Sequence, residues 1–240
     1  MLLREGVKFM TGLQLKNARK QKRLTQSAAA RHLGVSQGYL SLLEKGKRLP
    51  TEDLITAVIR LYGLRAADLP VKRDLTKLPA GAGSDSLAAD LSAIGYPGFS
   101  HLGKSFRLKN PAEVLISVLA AGQLDPRVVE SLPWLVSEVS ETSWGKVSAA
   151  AKVNDLQNRL GFVTSLARME AEKRGEFNKA ARLRRREAAL AGSVLVKEDT
   201  LCNETMTETE KQWVRGHRTP EAELWNVLSD LKIEHLNYVD

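Results

Sequence analysis

Ser36, Gln37, Gly38, Ser41 and Leu42 are the side chains in this sequence best suited to chemistry on another molecule's surface. They fall within seven consecutive residues of the stretch TQSAAARHLGVSQGYLSLLEKG, from Thr25 to Gly46. A glutamine amide can bridge N6 and N7 of adenine, a serine hydroxyl can serve several bases, and a leucine can touch a thymine methyl. Gly38 inside a helix costs about 1 kcal/mol against alanine, a cost explained if backbone must come close to a partner, although a neutral exposed glycine explains it equally well. Arg19, Lys45, Lys47 and Arg48 surround this group in sequence and are candidate DNA phosphate contacts. Singly each reads as a solvated charge; together on one segment they read as a polyanion surface.

The elements that must hold these residues follow from the same stretch. Thr25 is placed to cap a first helix whose inner face is Ala28, Ala29, Ala30 and Leu33, and Ser36 to cap a second carrying Tyr39, Leu40 and Leu43. Gly34 supplies the turn and Val35 plugs the gap between the helices. Two short helices joined this way form a helix-turn-helix, whose second helix enters the DNA major groove with its N-terminal residues toward the base edges.

The combination of Thr25-Gln26, Gly34-Val35-Ser36, Tyr39-Leu40-Ser41 and Glu44-Lys45-Gly46 resembles the Cro/C1-type helix-turn-helix regulators, over residues 12–70. The resemblance implies a five-helix domain and places Gln26 against a DNA phosphate. Helix 1 is expected from Leu13 to Lys22; a fourth, capped by Thr51, carries Ile55, Val58, Ile59 and Tyr62 inward; Ala66 to Leu69 makes a fifth. Two departures stand out. Ala29 is smaller than the aliphatic residue common in the family, and no Arg or Lys lies among the first residues of the recognition helix. Sequence preference then rests on Gln37, methyl contacts and DNA shape.

Charge is divided unevenly. Residues 1–65 carry 13 Lys+Arg against 4 Asp+Glu, a net of +9, while residues 66–240 carry 23 against 24. The whole formal charge of +8 therefore sits on the suspected DNA-binding end, as an electrostatic footprint should. The 43% apolar content is that of a folded chain, no run approaches a membrane span, and no leader is evident, so a cytoplasmic protein is expected. Cys202 alone cannot build a disulfide framework or a cysteine zinc cluster. A Walker loop, a nucleophile elbow and an HExxH motif are all absent, and His32, His101, His217 and His235 are scattered. No catalytic residue, cofactor or metal is expected, and the chain is not read as an enzyme.

Beyond the head the expected architecture is all-α. Residues 1–11 are read as an arm and 71–110 as a linker, flexible around Pro79 to Ser84, with a short helix from Leu87 to Ile94. Residues 111–240 are read as a helical dimerisation or partner-binding domain. Its helices are expected at Pro111–Ala121, from Asp125-Pro126 to Val139, at Trp144–Arg174 with a bend at Gly161, and at Phe177–Leu195. A capping box at Thr207–Glu210 starts a further helix, and Thr219-Pro220 begins a last one running to Leu231. Ala167–Leu190 is similar to one tetratricopeptide hairpin, but no second copy follows, so a plain α-hairpin is the simpler reading. Arg182, Arg184, Arg185 and Arg186 lie among acidic residues and read as a solvated helix face, with a site for an acidic partner protein as the alternative. The runs Leu156–Phe162 and Asp199–Glu204 weakly resemble extensions of toxin-antitoxin regulators. The expected function is a homodimeric repressor of its own operon on a pseudo-palindromic operator in double-stranded DNA, in its sharper form an antitoxin with a cognate toxin protein. The alternatives are a ligand-sensing regulator, or a helical interaction scaffold with a DNA-tethering head.

Overall fold

The computed structural model describes residues 12–79, 81–102 and 108–236; the expected arm lies outside them. The chain is mostly helical and forms two hydrophobic cores. In the head, α1 (Gly12–Gln21), α2 (Gln26–His32), α3 (Gln37–Glu44) and α4 (Glu52–Tyr62) close around Leu15, Ala29, Leu40, Leu43, Val58 and Ile59. Leu40 is fully buried, and so is Ala29, whose small side chain lets α2 sit close to its neighbours. The expected fifth helix is a single 3-10 turn, Ala66–Asp68.

The turn between α2 and α3 is a Schellman motif. Gly34 takes φ +67°, Val35 N–H reaches Ala30 O at 3.0 Å, and Gly34 N–H reaches Arg31 O at 3.2 Å. A second such ending closes α3, with Gly46 at φ +69° and Lys47 N–H on Leu42 O at 2.9 Å. The capping serine and threonines act as the sequence implied: Oγ1 of Thr25 accepts from Ala28 N, Oγ of Ser36 from Tyr39 N, and Oγ1 of Thr51 from Leu54 N.

The body departs further from expectation. Residues 71–110 are no linker: α5 (Ser84–Ile94) places Leu87 and Leu91 in the body core, joined by Leu75, Tyr96 and Phe99. The helix expected from Asp125 to Val139 is two, α7 (Pro126–Glu130) and α8 (Leu132–Glu138), after α6 (Pro111–Leu119). That expected from Trp144 to Arg174 is also two, α9 (Glu141–Val153) and α10 (Gln157–Lys173), broken at Asp155, which sits at φ +56°. Gly161 falls inside α10. It lies against the indole of Trp225, which a Cβ there would overlap. Nearly every residue of α10 from Gln157 to Ala167 is buried, which makes it the axis of the body.

Helix α11 (Phe177–Ala191) pairs with α10 across the turn at Gly175 as a plain α-hairpin. The Thr207–Glu210 capping box starts α12 (Glu208–His217). The last expected helix stops after α13 (Pro220–Leu224), because Asn226 turns to φ +53° and Val227–Leu228 (β2) pairs in parallel with Asp199–Thr200 (β1). The arginine cluster is not uniformly solvated either. Arg186 is 3% exposed, lies 4.5 Å over the Trp144 ring, and donates to Val136 O, Val139 O and Glu141.

The two units are joined tightly. Leu108 packs on the head core, and buried Asn110 donates from Nδ2 to Leu69 O at 2.5 Å while its Oδ1 caps α6. Among the described residues no helix is long and apolar enough to cross a membrane, and no group of His, Cys, Asp or Glu is placed to hold a metal ion.

Candidate nucleic-acid interface

The outer face of the head is built around α3. Ser36, Gln37 and Gly38 are exposed at its N-terminus, Ser41 is half-buried one turn on, and Leu42 is 37% exposed. A Cβ on Gly38 would meet nothing within 4 Å, so the protein itself does not require glycine there. Ser36 Oγ accepts the capping hydrogen bond from Tyr39, which leaves its O–H as a donor.

Gln37 is held, and the way it is held matters. Its Nε2 donates to Gln26 Oε1 at 2.9 Å, and Gln26 Nε2 donates to Glu44 Oε2 at 2.7 Å. Arg19 completes the chain: its Nε and Nη2 donate to the two oxygens of Glu44 at 2.6 and 3.1 Å, and its Nη1 to Leu24 O at 2.6 Å. An amide nitrogen carries two hydrogens. Gln37 can therefore keep its bond to Gln26 and still present one N–H and its carbonyl oxygen outward, the pair that adenine N7 and N6 require. The hydrogen bond to Gln26 restricts the Gln37 side chain in the free protein.

Arg19 must be moved off the set of phosphate contacts. It is 7% exposed, its charge is spent on Glu44, and it supports the interface from within. The proton of Arg19 is held more firmly than usual by that hydrogen bond. Burial pushes the Glu44 carboxyl up, but the hydrogen bonds from Arg19 and Gln26 with the charge of Arg19 outweigh it and leave the carboxyl below its ordinary value of 4.5. Tyr62, buried beside the pair, is pushed up to about 12 by burial and by Glu44. Lys45, Lys47 and Arg48 are exposed on the loop that leaves α3. Gln26 is half-buried between Gln37 and Glu44, with its helix N-terminus beside it.

Two residues of the site carry no signal in the sequence. In the sequence Glu44 is only part of a helix end, yet it is the anion on which Arg19 and Gln26 converge; 25 residues separate it from Arg19, so spacing carries no hint. Gly12 lets α1 approach the end of α3: a Cβ there would stand 2.6 Å from Leu43 O and Gly46 N, and closer to Glu44 O.

Fold and surface together define a DNA-binding head of helix-turn-helix type carried on a helical body. Residues 12–70 match the family model described as a helix-turn-helix domain, and that segment of the chain is such a domain, consistent with a Cro/C1-type regulator. No curated protein and no solved structure matches the chain.

Proposed function

We propose that the protein is a transcriptional repressor that binds a pseudo-palindromic operator as a homodimer and acts on its own operon. The observation that carries this reading is the pre-set Gln37, aimed outward from the start of an exposed recognition helix and anchored through Gln26 and Glu44 to Arg19. The basic excess of residues 1–65 supports DNA as the partner. Ser36, Gln37, Gly38, Ser41 and Leu42 are the base-facing set, with Gln26, Lys45, Lys47 and Arg48 on phosphates. In its sharper form the protein is an antitoxin whose body holds a cognate toxin; growth arrest on expressing a neighbouring gene alone, relieved by this protein, tests that form. Footprinting on DNA upstream of the gene tests the repressor reading. Two protected half-sites about one helical turn, near 34 Å, apart are expected. An unprotected upstream region would remove autoregulation.

A further inference from the structure

Between head and body lies a cleft of about 590 Å³, walled by Thr56 and Leu69 from the head and by Arg73, Leu87, Lys109 and Ser117 from the body. That volume is in the range of sites for small molecules. Asp53 also lines it, while the other carboxylates on its wall are engaged. Lys109 Nζ lies 2.5 Å from Asp90 Oδ2, and Glu113 Oε1 accepts from the backbone N–H groups of Lys72 and Arg73 at 2.6 and 3.2 Å. Arg73 differs. Its Nη2 donates only to neutral acceptors, Glu113 O at 2.7 Å and Ser117 Oγ at 2.8 Å. Among the described residues no carboxylate forms an ion pair with it. Its Nε and Nη1 make no hydrogen bond among those residues, yet they are not sealed from solvent.

We propose that this cleft binds a small organic anion, a carboxylate or phosphate ester of metabolite size, with its charged group on the open edge of Arg73. A guanidinium edge presents N–H donors spaced for two oxygens of such a group. Burial holds Arg73 below the ordinary guanidinium value, against the opposite pull of Glu113 and Asp90. Since both units wall the cleft, an occupant ties the head to the body and biases how the head meets DNA. That consequence rests on the repressor reading; the binding itself does not.

The test is calorimetric titration and thermal unfolding of the full-length protein, without DNA, against inorganic phosphate, citrate and glutamate at constant ionic strength, with chloride as the control. At least one of the three is expected to bind saturably and raise the Tm, with Kd about tenfold or more weaker in Arg73→Gln. Ala82→Phe, a bulky substitution in the cleft wall at a residue that is not a hydrogen-bond partner of Arg73, is expected to lose the same response, so a folding defect in the first variant does not decide the matter. A response that survives both substitutions, or no saturable response to any of the three anions, overturns the proposal. Either result is read without DNA and is therefore separate from a failure of operator binding.

Discussion

Glu44 is a carboxylate in the most basic part of the chain, and it stays there because its charge is fully used. Arg19 grips both its oxygens and Gln26 takes one of them. Replacing it by glutamine leaves the Arg19 guanidinium buried without a counter-charge, and breaking such a pair costs about 3 kcal/mol. Glu44→Gln is therefore expected to lower the stability of the head in urea unfolding. The pH dependence has a definite sign. The carboxyl sits below 4.5 in the folded protein, so its stabilising effect is complete above that pH and is lost as the pH falls through the lowered value. Acid unfolding below about pH 4.5 should therefore show a slope in the wild type that is reduced in Glu44→Gln. The pair was invisible in the sequence, where only the polar character of both residues could be read, whereas the caps Thr25, Ser36 and Thr51 were legible because a cap acts over three residues.

At the scale of elements, legibility followed the chemistry of helix ends. Ends marked by Gly, Pro or a capping box were found in place: Gly34, Gly46, Pro111, Pro126 and Thr207 all act as their residue types dictate. Breaks made by non-glycine residues in the left-handed region were missed. Asp155 and Asn226 both take φ above +50°, and neither residue type announces a break as glycine does. A related reason hides the structure of residues 71–110: their Pro, Gly and Ser content describes the approach to α5, not the apolar face of α5 itself. Gly161 shows what a helix-interior glycine can mean. Trp225 occupies the space of the missing side chain, and its Nε1 donates to Ser165 Oγ at 2.8 Å. Gly161→Ala is expected to destabilise the body by about 1–3 kcal/mol through overpacking, seen as a lower urea midpoint with a perturbed tryptophan fluorescence. The same substitution at exposed Gly145, where a Cβ meets nothing, should not lower it.

For the whole molecule, the division of charge and the division of structure coincide. The head carries the positive excess and the near-neutral remainder forms the second core. Each phosphate contact contributes about 0.9 to the slope of log affinity against log salt on duplex DNA. Lys47→Gln and Arg48→Gln are each expected to reduce that slope by about 1 and to weaken all DNA sequences alike, as measured by fluorescence anisotropy between low and moderate salt. An unchanged slope in both would place the phosphate backbone elsewhere on the head. Specificity should move with Gln37 instead. The measurement that bears most directly on the account is a double-mutant cycle on the footprinted fragment, pairing wild type and Gln37→Ala with DNA in which single adenines are replaced by 7-deazaadenine. One half-site position is expected at which removing N7 weakens wild-type binding by about 1 kcal/mol or more and leaves Gln37→Ala unaffected. Equal losses in the two proteins at every adenine would contradict it.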